Sequence, residues 1–272
     1  MTPRVVDNST RPLRKLCRLT KSFPADPSPE EVHALRTQTR RMEAVLDAVT
    51  LDSGKQPRRL RHIMTPVRKA AGGVRDMDVM IRNVLTLSKK DSPGSVMRLV
   101  AQLAQKREKR ARHLRDNIAA HGKEARMLLK RYARLIERQS DTNHHIFTKN
   151  TGALQALIAE LERWPELDSE NLHAFRIRVK KLQYLLQISH LANRRATKTL
   201  AEVKDAIGDW HDWRGVLKVA EKVLDPKVDR AILNHVQVIC DTRLRQAFAS
   251  ASLLREREPG WIVGEVQEKN QR

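Results

Sequence analysis

Little in this sequence is aromatic or sulfur-bearing, and each shortage removes a class of protein. Phe, Trp and Tyr together make up 4% of the 272 residues, so there are few candidates for the stacking platforms that hold the bases of single-stranded nucleic acid. Cys17 and Cys240 are the only cysteines, far apart and outside any C-x-x-C or Cys/His cluster. That leaves no disulfide framework and no structural zinc site. The 10 Gly and 11 Pro are too few for a collagen-like or low-complexity chain. No apolar run approaches the roughly 18 residues of a spanning helix, and the opening MTPRVVDNSTRPLRKLC lacks the apolar heart of a signal peptide. The expectation is a cytoplasmic protein without membrane contact, with residues 1–11 as a tail and Pro12 near the start of a first amphipathic helix.

The shortfall of acid relative to base is the most informative imbalance. Lys and Arg number 53 against 32 Asp and Glu, a net charge of +21, and an imbalance of that size points to an anionic partner. A chain this long buries enough core to need neither metal nor disulfide.

What the chain does have is an internal repeat. Residues 31–42, EVHALRTQTRRM, match residues 171–182, NLHAFRIRVKKL, at an offset of 140. A second block matches at an offset of 136, with Arg58-Arg59 on Arg194-Arg195, Arg68 on Lys204, Gly72 on Gly208 and Asp76 on Asp212. The four-residue difference falls in the turn-rich segment Asp52 to Pro57. Val96 to Glu137 and Val228 to Leu254 read as the long helices of the two halves, and no run has the period of two that marks a strand. The expected fold is all-α, in two similar halves of about residues 12–140 and 151–254, with 255–272 as a C-terminal tail. Short connections favour antiparallel bundles.

On a helix at about 100° per residue, with His33 at 0°, Arg36 falls near −60°, Arg40 near −20° and Arg41 near +80°. Leu35, Met42, Val45, Leu46 and Val49 collect on the opposite side as a core stripe. His173, Arg176, Lys180 and Lys181 repeat the polar face, and Phe175, Leu182, Leu185 and Leu186 the apolar one. A solvated face mixes signs, because like charges three or four residues apart repel. Here Asn171 to Ala201 and Ser53 to Arg75 each carry seven cations and no carboxylate. Glu43 and Asp47 partly neutralise the first His helix. Asp76 and Asp212 suit pairing with a nearby Arg or His, Trp210 and Trp213 suit the core, and Met42, Met64, Met77 and Met80 fill it.

The doubled H-x-x-R-x-x-x-R/K-R/K helix, each copy followed by a basic helix ending in Gly72-Gly73-Val74-Arg75-Asp76 or Gly208-Asp209-Trp210-His211-Asp212, resembles the CHAD domain, the conserved histidine α-helical domain. The likeness runs from about Pro12 to Leu254. It implies two pseudo-symmetric antiparallel four-helix bundles whose basic helices surround a central cavity that binds inorganic polyphosphate. Carried over residue by residue, it implies that Arg36, Arg40, Arg41, Arg176, Lys180 and Lys181 contact phosphate oxygens, with His33 and His173 as further donors. Arg58, Arg61, Arg68, Arg194, Lys198 and Lys204 follow from the second block, and Arg110 and Arg243 from a looser match of the third helices. Lys198 stands where the first copy has His62, and Thr197 where it has Arg61, so unequal contributions are expected.

Physical chemistry agrees on the ligand class. Polyphosphate is a linear polyanion with no bases to read, and a cation-lined surface without stacking aromatics suits it. Nonspecific contact with a nucleic-acid backbone is the alternative, and a homodimer is among the assemblies the sequence allows. An enzyme acting on phosphates needs carboxylate-held metal and a group that orients the nucleophile. The basic helices hold no carboxylate cluster, and neither a P-loop nor the E-x-E-x-K strand of the CYTH domains often fused to CHAD domains occurs. The expectation is a binding protein with no cofactor and no metal, at polyphosphate granules where cells have them.

Overall fold

The computed structural model describes residues 3–48, 55–87, 93–142, 150–189 and 194–256. Among them are eight helices and no strand: α1 (Pro3–Lys21), α2 (Pro29–Ala48), α3 (Lys55–Leu87), α4 (Pro93–Thr142), α5 (Asn150–Glu162), α6 (Leu172–Ser189), α7 (Arg194–Val223) and α8 (Arg230–Glu256). The all-α expectation holds. The first helix starts earlier than expected, at Pro3, so residues 3–11 are helical and Pro12 lies well inside it. Val49 of the expected core stripe, the connector residues His144 and His145, and residues 257–272 lie outside the described residues.

Local chemistry sets the boundaries. Ser28 and Glu31 close a capping box at the start of α2: Glu31 N–H donates to Ser28 Oγ at 3.2 Å, and Ser28 N–H donates to Glu31 Oε2 at 2.8 Å. Pro29 follows at the first helical position, where its missing N–H costs nothing. Asp168 orders the loop before α6 by accepting the N–H groups of Glu170 and Asn171, each at 2.7 Å. Asp229 stands just before α8; its carboxylate accepts the Asp225 N–H at 2.9 Å, Arg98 Nη2 on both oxygens at 2.6 and 2.7 Å, and the Ser95 hydroxyl.

The chain forms two compact units, and they are not its two sequence halves. One comprises residues 1–76, 107–154 and 184–190, the other 77–106, 155–183 and 191–272. At 33 and 50 residues, α3 and α4 run about 50 and 75 Å and each continues from one unit into the next, as does the end of α6. In the first unit, α1, α2, the start of α3 and the end of α4 bury Leu13, Leu16, Leu35, Met42, Val45, Leu60, Met64 and Tyr132. In the second, α5 to α8 bury Leu161, Phe175, Leu182, Leu200 and Leu254, with Trp164 edge-on to Phe175 at 5.6 Å. There the end of α3 and the start of α4 also pack with α7 and α8, through Met77, Val84, Leu99, Leu103, Trp213, Val216 and Val236. Trp210 and Trp213 are core residues as expected, and Met80 packs against Gly215.

Candidate polyanion-binding site

The two repeated motifs meet in space, which explains why they recur together. Gly72 of α3 lies under the guanidinium of Arg36, where an added Cβ would sit 3.8 Å from Nε. In the second copy the fit is closer: a Cβ on Gly208 would come within 3.0 Å of Arg176 Cζ and nearer still to Nη2. Arg176 Nε also donates to the Lys204 carbonyl at 2.9 Å. The arginine of the first motif therefore lies along bare backbone left by the glycine of the second, and both arginines are half-buried.

The difference between the glycines gives a prediction. Gly72→Ala gains about 0.5–1 kcal/mol of thermal stability from helix propensity. Gly208→Ala fails to gain it because the methyl displaces Arg176. Thermal melts of the two variants, followed by circular dichroism, check this.

In the first copy Arg40 and Arg68 share one carboxylate, and Arg36 lies close enough to Arg68 to act on its charge. Glu43 takes Arg68 Nε at 2.6 Å and Arg40 Nη1 at 3.2 Å, and Asp47 takes Arg61 Nη2 at 2.7 Å. Burial lowers the pKa of Arg68, Glu43 opposes the shift, and Arg40 and Arg36 add to it. Three guanidinium groups against one carboxylate leave a surplus of positive charge. At an offset of 140, Gln183 and Gln187 stand where Glu43 and Asp47 stand, so α6 offers its cations no such counter-charge.

The second copy builds its cluster differently. His173 stacks on His211 with ring centroids 4.4 Å apart, and His211 Nδ1 lies 3.7 Å from Asp212 Oδ1. Burial, then the positive neighbours His211, Arg176 and Lys180, push the His173 pKa down from 6.5 to about 4, with Asp212 opposing. His173 is therefore a neutral imidazole at pH 7 and offers one N–H, whereas His33 is exposed.

The remaining expected residues take varied places. Arg58 and Lys181 are exposed and Lys180 is half-buried. Lys198 is 3.9 Å from Glu202, and Lys204 is 3.1 Å from Asp205. Arg194 opens α7. The looser match of Arg110 to Arg243 has a spatial counterpart, because each reaches the same repeat position. Arg110 Nη1 donates to the Gly73 carbonyl at 2.8 Å, and Arg243 Nε pairs with Asp209 Oδ2 at 2.9 Å. Arg41 does not join Arg36 and Arg40: it lines a separate cavity with Arg11, Lys15 and Tyr184. Sequence reasoning also missed three arginines of α4 that donate to main-chain carbonyls. Arg126 donates to Thr20 O at 3.0 Å, Arg107 to Pro27 O at 2.6 Å and Arg115 to Ala25 O, tying down the end of α1 and the loop after it. Their spacing on a basic helix gives no sign of this.

A repeated, purely helical protein with paired basic helices is the class these features define. The CHAD domain family model matches residues 10–221, well over half of the chain, and the protein belongs to the CHAD domain family. Its fold is similar to the crystal structure of the CHAD domain from the plant Ricinus communis. The TM-score is 0.53 at 17% identity, covering 97% of this chain and 88% of that one. Comparison with curated proteins gives no match.

Proposed function

We propose that this protein binds inorganic polyphosphate, with the basic faces of α2 and α3 and of α6 and α7 as the contact surfaces. The observation that carries the reading is the crowding of Arg40 and Arg68 on a single Glu43 with Arg36 close by, and on α6 the placing of Arg176 and Lys180 beside His173 with Gln183 where that glutamate stands. Such clusters repel themselves and are relieved by a polyanion whose oxygens accept charge-assisted hydrogen bonds. A cytoplasmic, granule-associated setting and binding without catalysis are part of the proposal. In support of the last, three carboxylates at the basic helices, Glu43, Asp47 and Asp209, are engaged by arginines, and Glu202 and Asp205 by lysines. Among the described residues no group of three or more His, Cys, Asp or Glu is arranged to hold a metal ion, and no helix is long and apolar enough to cross a membrane.

The test is a competition at about 150 mM salt, where screening trims weak exposed contacts, between labelled long-chain polyphosphate and duplex DNA or RNA at matched phosphate concentration. Retention of polyphosphate supports the proposal. Equal displacement by nucleic acid would mean that net charge alone explains the binding.

A pH dependence follows from His173. Its folded pKa lies below its ordinary value, so as pH falls from about 6.5 to about 4 the unfolded chain takes up a proton first and folding stability declines; above that window the group contributes no slope. A bound polyanion favours the charged imidazole, so affinity rises as pH falls through the same window. His173→Gln flattens both trends, as urea titrations and binding isotherms at pH 7 and pH 5 would show.

A further inference from the structure

We propose that a separate, smaller site on the first unit binds short oligophosphates, in the cavity lined by Arg11 and Lys15 of α1, Gln38 and Arg41 of α2, and Tyr184 and Gln187 of α6. The cavity has a volume of about 260 Å³. At roughly 30 Å³ per water this is room for about nine waters, and so for roughly two or three phosphoryl groups. Its polar lining consists of three cations, two amides and a phenol, with no carboxylate. Arg11 and Lys15 stand four residues apart on one helix, a like-charge spacing that costs an unliganded helix a little stability. Arg41 lies about 140° around α2 from Arg36, so it serves this cavity and not the Glu43 cluster.

Comparison within the repeat makes the case. Position 38 corresponds to position 178, where Arg178 is bound to Glu160 of α5. Helix α5 has two glutamates and no Lys or Arg. The second half thus neutralises this place with an internal ion pair, while the first half substitutes an amide and gathers cations around it. Two guanidinium forks and an ammonium match a compact anion with several equivalent oxygens, such as pyrophosphate or tripolyphosphate, better than a lone carboxylate. Such a group is either a free short oligophosphate or the end of a longer chain. Of the cations proposed to contact the long chain, this lining includes Arg41.

The test is calorimetric titration of the full chain with pyrophosphate and tripolyphosphate at about 150 mM salt. The Arg11→Gln/Lys15→Gln variant is expected to lose about tenfold or more in affinity, the loss of two charge-assisted contacts. Gln187→Glu, which sets a carboxylate in the lining, is expected to lose a similar amount, while exposed Lys123→Glu/Lys222→Glu stays within about twofold. Should the α1 double variant lose helicity, Gln187→Glu decides. Parent-like binding by both pocket variants, or displacement of pyrophosphate by equimolar sulfate, would overturn the proposal. Long chains with esterified ends separate the two sources. If the α1 variant loses affinity for free-ended but not end-blocked chains, the pocket holds chain ends; if its loss is confined to pyrophosphate and tripolyphosphate, it holds free oligophosphate. The outcome is independent of the long-chain competition with nucleic acid, so the two proposals fail separately.

Discussion

Reversing four charges, Arg36→Glu, Arg40→Glu, Arg176→Glu and Lys180→Glu, is expected to weaken polyphosphate binding by about three orders of magnitude or more at about 150 mM salt, because each position loses a charge-assisted contact of about 1 kcal/mol or more and adds a repulsion. Fluorescence anisotropy with labelled long-chain polyphosphate measures it, with the exposed Lys123→Glu/Lys222→Glu pair as control. The structure divides the four in a way that the helical wheel does not. Arg40→Glu/Lys180→Glu lowers the melting temperature less than the other pair, because Glu43 keeps Arg68 as a partner. Arg36→Glu/Arg176→Glu lowers the melting temperature by a few degrees, since these side chains lie along the glycines of α3 and α7 and Arg176 donates to the Lys204 carbonyl. Parent-like affinity in the quadruple variant would sink the functional reading.

Trp210→Ala is expected to cost about 3–5 kcal/mol of stability, as deletion of a buried large aromatic does. At this chain length that is a fall of about 10 °C in melting temperature. Trp210 is 2% exposed, Arg214 stacks over its ring at 5.4 Å, and it lies between Gly208 and the stacked His211. Removing it undermines the α7 surface that holds Arg176 and His173 in place, so binding weakens along with stability. The first copy has the smaller Val74 there, also buried, and Val74→Ala costs less because it opens a smaller cavity. A melt series on the two alanine variants separates these outcomes, and equal losses would count against the asymmetry.

Much of the fold was legible because helical periodicity is a local property. Leu35, Met42, Val45 and Leu46 on α2, and Phe175, Leu182, Leu185 and Leu186 on α6, are buried where a period of 3.6 places them. The division into compact units was not legible, because where α3 and α4 pass from one set of neighbours to another depends on packing along their whole length.

The site shows the same split. Its residue types, its doubling and its excess of positive charge are properties of composition and spacing, and these the sequence determined by itself. What each cation touches was left to the tertiary structure. A wheel drawn for α2 cannot show that Arg36 rests on a glycine 36 residues later, that Glu43 joins Arg40 to Arg68, or that Arg41 belongs with Arg11 and Lys15. Nor can it show that Arg107, Arg115 and Arg126 are spent on backbone carbonyls. The physical reason is reach: an arginine head lies several bonds from its Cα, and its partner is fixed by whichever neighbouring helix passes within that radius.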